Sequence, residues 1–443
     1  MKLTGRIALV TALFATPAWA EGFEGQFDGG LGFGGIAEDW FVKVSVGAAF
    51  QFDKIGFGVQ VPLNFRAIDY EPEQDSVIRE EDWDEVGDFF KILRYFQYGF
   101  PNEPYYVRVG ELTGVSIGHG TVVNSYYNVV DVNHYKMGIR STIDVGYGGV
   151  EVMIDHVAPP NLLAIRPFVR PFTFFPTADI FKKVTTGLVF AADFDAPTAL
   201  KVDAGGVPVI EEAGPVRASS EPVILWGWDL DWEVFSNEWV AIIPFFDVMV
   251  LGDEGAGTHL GTFINFSLPA NIHIDTCIEW RFASKGYQPT YISPIYEIER
   301  WRFVQGPKIT DVRAGFAGAD RDRHGLLGSL TFRVDKWVTV TAAYEDYQGP
   351  DNANFTARLE LPWIADVVQA AAFWTKRNFD DAEDLGSLDN ALLVAMLRVK
   401  VYDPLYLWAE YSRQWHVDET GTDRGEYETV DNFGGGVGVH VGF

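Results

Sequence analysis

The stretch WFVKVSVGAAFQFDKIGFGVQVPLNFR, residues 40 to 66, decides how the rest of the chain reads. Val42, Val44, Val46, Ala48 and Phe50 alternate with Lys43, Ser45, Gly47 and Ala49. Phe52-Asp53 then reads as a tight turn. Beyond it Ile55, Phe57, Val59, Val61, Leu63 and Phe65 alternate with Lys54, Gly56, Gly58, Gln60, Asn64 and Arg66. Side chains of a strand point alternately to opposite faces, so this is a long hairpin with one apolar face and one small or charged face.

The same pattern recurs along the chain. In IHIDTCIEWRF, 272 to 282, Ile272, Ile274, Thr276, Ile278, Trp280 and Phe282 line one face, and His273, Asp275, Cys277, Glu279 and Arg281 line the other. The last ten residues, GGGVGVHVGF, put Val437, Val439, Val441 and Phe443 on one side and glycines and His440 on the other. In water such ribbons would be unprotected sheet edges. A sheet closed on itself in a bilayer has none, with apolar residues facing lipid and charged ones a wet lumen.

Regular alternation also marks segments near 103–111, 135–145, 149–157, 183–194, 222–234, 337–346, 354–361, 391–401 and 404–413. Less regular segments lie near 24–34, 162–173, 239–250, 258–267, 289–303, 325–334 and 368–377. Single-chain bacterial barrels close with even numbers, so the expectation is an all-β, antiparallel barrel of about 18 strands, with 16 or 20 as alternatives. Turns at 402–403, 362–366 and 335–336 fall on one side, but parity breaks across 283–324, so at least one strand there is misassigned. One stretch changes period: within residues 81–97, Val86, Phe89, Phe90, Leu93 and Phe96 follow helical spacing, which predicts a short amphipathic helix in a long connector.

Composition fits a barrel. Residues 1–20 combine Lys2 and Arg6, an apolar run and Ala18-Trp19-Ala20, the pattern of a cleaved secretory signal, leaving 21–443 as the expected barrel. Without that segment the chain has 32 basic and 62 acidic residues, a formal charge of −30, which argues against nucleic acid as a partner. Cys277 is the only cysteine, so no internal disulfide forms. No later apolar run is long enough for a transmembrane helix, while aromatics make up 15% of the chain, as interfacial girdles require. The long connectors near 71–90, 378–390 and 416–432 are rich in carboxylates but lack the fixed spacing of a calcium loop.

Catalytic and metal signals are weak. GVSIG, 114–118, matches the nucleophile pattern G-x-S-x-G with Ser116 in place and His119 nearby, but no strand-to-helix elbow surrounds it. The eight histidines are scattered singly, so no metal site or cofactor is expected, and the chain is read as a non-enzyme. The lumen-facing charges carry more physics. Candidate lumen and selectivity residues are Lys43, Lys54, Arg66, Arg108, Arg140, Arg166, Arg170 and Asp275. To these are added Glu279, Arg281, Arg300, Arg302, Arg358, Arg398 and Lys400. They either salt-bridge one another in a closed lumen or set a field across a water-filled pore. The segment 114–135, glycine- and aromatic-rich and without alternation, reads either as a loop folded inward to narrow a pore or as a surface loop.

The signal pattern, the repeated ten-residue alternation, the acidic connectors and the terminal VGVHVGF resemble a bacterial outer-membrane β-barrel of the porin type. The resemblance implies a Gram-negative outer membrane and contact with lipid and lipopolysaccharide. It also implies that Val437, Val439, Val441 and Phe443 form the signal read by the barrel assembly machinery, and it leaves homo-oligomerisation open. The function expected is passive diffusion of small hydrophilic solutes or ions. The alternatives are a non-conducting structural or adhesive barrel and, below it, a barrel phospholipase-type hydrolase.

Overall fold

The computed structural model describes residues 23–36, 39–69, 76–79, 82–83, 86–101, 103–129, 136–202, 209–211, 214–300, 320–335, 337–350, 352–386, 391–417 and 427–442. The signal segment 1–20, Arg302, Phe443 and positions 130–135 of the expected inward segment lie outside the described residues. The first wall strands are β1 (Phe23–Ile36), β2 (Asp39–Phe52), β3 (Ile55–Ile68), β4 (Leu93–Tyr98), β5 (Tyr105–Gly110), β6 (Gly138–Asp144) and β7 (Gly148–Ile154). Next come β8 (Leu162–Val169), β9 (Val184–Leu200), β10 (Arg217–Trp232), β11 (Val240–Leu251), β12 (Gly255–Leu268) and β13 (Ile272–Ala283). The wall ends with β14 (Arg323–Val334), β15 (Val338–Tyr347), β16 (Ala353–Ile364), β17 (Val368–Phe379), β18 (Ala391–Tyr402), β19 (Leu405–Val417) and β20 (Tyr427–Gly442).

Each strand pairs antiparallel with the next, and the ring closes where β20 meets β1, from Gln26 opposite Gly442 to Gly34 opposite Gly434. The sheet has 21 strands, of which Phe235–Ser236 pairs only with β11 and stands outside the ring, so the barrel has twenty strands and not about 18. Two local readings change with it. Residues 289–303 alternate in sequence, but the described part, 289–300, forms no strand; 284–300 is a connector with one helical turn, Tyr296–Glu299, and β13 pairs directly with β14, which restores turn parity. The helix-spaced stretch holds a short 3₁₀ helix, Val86–Ile92, and then becomes β4. The first hairpin turns one residue later than expected, at Asp53-Lys54, where Asp53 takes a φ of 48°.

Most turns sort by length. Those after β2, β4, β6, β12, β14, β16 and β18 are short and share one rim with both barrel-closing strand ends and the longer connectors 170–183 and 233–239, while the acidic connectors share the other rim with the short turns after β1 and β11. The outer face is banded. Val46, Leu260, Ile278, Leu330, Leu397 and Val437 are exposed at mid-strand. Phe52, Tyr98, Tyr105, Trp239, Trp337 and Tyr402 ring the short-turn rim, and Phe33, Trp280, Tyr344 and Phe433 lie toward the other. An aliphatic belt between aromatic girdles is the surface that a bilayer solvates. No helix among the described residues is long and apolar enough to cross a membrane, and the strands cross instead. The chain is therefore a closed, twenty-stranded antiparallel β-barrel with the outer surface of a transmembrane barrel.

The glycine-rich end strand serves the lumen. Side chains at Tyr406, Trp408 and Glu410 of β19 point inward beside Gly438, Gly32 and Gly434. A Cβ on Gly32 would fall inside the Trp408 ring, and one on Gly438 inside the Tyr406 ring. Glycines in β1 and β20 are the shelf on which these large inward side chains lie.

Candidate functional site: a lumen narrowed by two connectors

Twenty strands enclose more space than wall side chains can fill. Two connectors from the long-loop rim, described over 111–129 and 136–137 and over 284–300, enter the barrel and pack against each other. Leu112, Val115, Ile117, Val122, Val123 and Tyr126 of the first meet Tyr287, Tyr291, Ile292 and Tyr296 of the second. Both also press on inward-facing Met153, Leu162, Leu225 and Met249 of the wall. Main-chain bonds join them: Thr290 N donates to Thr121 O at 2.9 Å, Ile292 N to Val122 O at 3.0 Å and Asn124 N to Ile292 O at 3.0 Å. The insertion is thus an apolar core inside the barrel, tied together by main-chain hydrogen bonds.

Charge staples fix that core to the wall. Arg166 on β8 donates to both carboxylate oxygens of Asp229 on β10, at 2.8 and 2.7 Å. Glu151 accepts from the Gly118 main chain at 2.8 Å while pairing with Arg166. His119 lies between Asp247, 2.7 Å from Nδ1, and Asp231, 3.3 Å from Nε2, and stacks on Phe245. Burial pulls the His119 imidazolium down, but the two aspartates win and hold its pKa up at about 9. On the other side Lys136 bridges Asp155 and Glu297, each at 2.8 Å, and Glu297 also accepts from Tyr126. Burial pushes the Glu297 carboxyl up, but Lys136 and Arg300 together bring it down to about 2. Arg300 and the Tyr296 hydroxyl both reach Asp193. A third network runs from His259 through Glu279 and Arg281 to Glu345, with Arg377 joining Glu345 to Glu299 of the second connector.

The insertion leaves one flank of the barrel open. Between Asn124, Ser125 and Tyr127 of the first connector, Thr290 and Pro294 of the second, and the inner face of β14–β17 lies a cavity of about 240 Å³. Thr331, Thr341, Glu345, Asn354, Thr356, Arg358, Phe373 and Arg377 form its wall side. Arg358 donates to Glu360 and to the Tyr127 hydroxyl and lies over the Tyr127 ring. Burial pushes the Tyr127 hydroxyl up to about 12, so it stays a protonated donor and acceptor. A second cavity, about 500 Å³, opens at the long-loop rim on the far side of the second connector, against Tyr291, Tyr296 and Arg300.

The charges singled out from sequence are distributed as follows. Arg358 borders the cavity, and Glu279 and Arg281 stand behind it in the paired network around Glu345. Arg166 and Arg300 anchor the connectors. Lys43 pairs with Glu410, Arg66 with Asp39 at 3.0 Å, and Arg398 with Asp28 at 3.7 Å. Arg108 lies over the Tyr95 ring and Arg140 over Tyr106. Asp275 and Arg333 pair at 3.1 Å in the lower wall. Lys54, Arg170 and Lys400 lie toward the short-turn rim, with Glu103, Asp144 and Asp366. Lys54 lies in the hairpin turn itself, which begins one residue later than the sequence suggests. Ser116 donates to Asn124 and accepts from the Ser125 main chain, while His119 is engaged by its aspartates, so the two do not form a nucleophile–base pair. His119, Asp229 and Asp231 are close enough to share a cation, but Asp229 already holds Arg166 with both oxygens.

Sequence reading missed the cavity's neutral lining, Thr331, Thr341, Asn354 and Thr356, and its ring Phe373. Threonine and asparagine at alternate positions of β14–β16 were a signal in principle, since alternation sets them inward with the charges.

No protein-family model matches the chain, and no curated protein matches it. Among solved structures it is similar to OccK11 (OpdR) of Pseudomonas aeruginosa, at 10% identity over 95% of this chain and 96% of that one, with a TM-score of 0.33. It is similar to Pseudomonas aeruginosa OpdK with vanillate, at 8% identity over 96% and 100% of the two chains, with a TM-score of 0.34. It is also similar to OccAB2 of Acinetobacter baumannii, at 9% identity over 95% and 98%, with a TM-score of 0.30. Likeness this low transfers neither solute nor residue roles, and the barrel rests on its own ring of strand pairings.

Proposed function

We propose that this chain is an outer-membrane channel for passive diffusion of small hydrophilic solutes or ions. The observation that carries the reading is the cavity left between the inserted connectors and β14–β17, into which Thr331, Thr341, Asn354, Thr356 and Arg358 contribute polar side chains among apolar ones. Polar groups on the inner wall of a wide barrel are served by water or by a polar solute, as a channel provides. In this reading the long acidic loops face outward and the short turns face the periplasm. The charged side chains that border this cavity, Arg358, Glu345 and Arg377, are each paired with a neighbour of opposite charge. Val437, Val439 and Val441, outward on β20, belong to the proposed assembly signal.

A second reading, a non-conducting barrel, is favoured by one observation: the apolar core that the two connectors form inside the wall. Planar-bilayer recording on the refolded barrel separates the two. Stable open steps are expected of the channel, and silence at every voltage would establish the plug. Reversal potentials in asymmetric salt then give the ion preference.

A further inference from the structure

The charged groups around the cavity neutralise one another. Glu345 is held by Arg281 at 2.6 Å and by Asn354 at 3.0 Å, and it meets Arg377 at 3.6 Å. Arg377 is shared with Glu299, and Arg358 is paired with Glu360. A paired cation and anion present little net field to a solute. What the inner wall offers instead is a run of hydroxyls and amides. Thr331 and Thr341 face each other across β14 and β15 with their hydroxyls 3.1 Å apart, and Thr356 and Thr375 do the same across β16 and β17. Each hydroxyl pair uses one donor and one acceptor and retains further capacity for both. Beside them Phe373 and Tyr127 meet edge to face at 5.9 Å.

From this lining we infer that the cavity is a binding subsite for neutral, polyhydroxylated solutes of monosaccharide size, which deepens the channel reading and rests on it. Such a solute needs donors and acceptors of both kinds in quick succession and no charge to trap it. The C–H face of a sugar ring also packs on an aromatic ring, which Phe373 and Tyr127 supply. An anionic solute would have to displace Glu360 from Arg358, and a cationic one Arg281 from Glu345.

The test uses three solutes on one carbon skeleton, glucose, gluconate and glucosamine, with the full barrel in planar bilayers and potassium chloride as carrier. Glucose is expected to interrupt the current in a concentration-dependent way, and the two charged forms at least about tenfold less. Thr341→Val with Thr356→Val removes two hydroxyls at nearly constant volume and should weaken glucose block by about fivefold for each hydrogen bond lost. The corresponding serine variants keep the hydroxyls and should retain block, which separates loss of chemistry from loss of fold. Gluconate blocking more strongly than glucose, or valine variants with unchanged block, would overturn the assignment. Saturation-transfer NMR of glucose against the barrel in micelles reads the same site without current. A barrel that binds glucose there but never conducts would refute the channel and keep the subsite; one that conducts yet shows neither block nor transfer would do the reverse.

Discussion

Replacing Ile278 with arginine tests which solvent covers the outer face. Ile278 is the seventh of the twelve residues of β13, is 60% exposed, and stands between Cys277 and Glu279, which are 6% and 2% exposed on the inner side. At about 3.3 Å per residue and a tilt near 45°, twelve residues cross roughly 28 Å along the bilayer normal, so Ile278 lies close to the midplane. In water an exposed Ile→Arg change would alter stability by less than about 0.5 kcal/mol. At the middle of a bilayer the guanidinium should destabilise the barrel by about 2–4 kcal/mol. The assay is guanidinium denaturation of the barrel refolded in phospholipid vesicles, followed by tryptophan fluorescence, with the midpoint read at constant slope. Thr331→Arg, one strand away but facing the cavity, is the control and should shift the midpoint far less. A parent-like midpoint for Ile278→Arg would refute the claim that hydrocarbon covers this face.

Two further outcomes follow from packing and charge. Gly32→Val should destabilise the barrel by about 1–3 kcal/mol because its side chain would meet both the Trp408 ring and the Gly435 carbonyl oxygen, and Trp408→Ala in the same chain should recover only the part of the loss in denaturation midpoint that is due to the ring. His119 sits in a connector with Asp231, Asp247, Asp229, Arg166 and Glu151 around it, and its pKa is raised from 6.5 to about 9. Its contribution to stability is therefore complete below pH 6.5 and fades as pH rises to about 9, by roughly 1.4 kcal/mol per pH unit. Denaturation midpoints measured from pH 6 to 10 should show that fall in the parent and a flatter profile in His119→Gln.

Alternation by itself determined which side chains share a face of each ribbon, while closure of the ring was decided by the pairing of β20 with β1. The pattern in 40–66 and 272–282 allows no other placement of Ile278 and Glu279, because neighbouring side chains in a strand cannot share a face. It failed where local pattern and tertiary contact disagree. β4 has only six residues and follows a helix-spaced run, so its identity comes from pairing with β3 and β5. Residues 289–300 alternate without a partner strand, since Tyr291, Ile292 and Tyr296 are spent on the core inside the barrel. The functional lining was decided at longer range still. Arg281 meets Glu345 across 64 residues, Arg358 meets Tyr127 across 231, and Lys43 meets Glu410 across 367. Sequence could name those charges as inward, but only the closed ring, with its register fixed and two connectors folded into it, determines which of them cancel and which polar groups are left facing the open space.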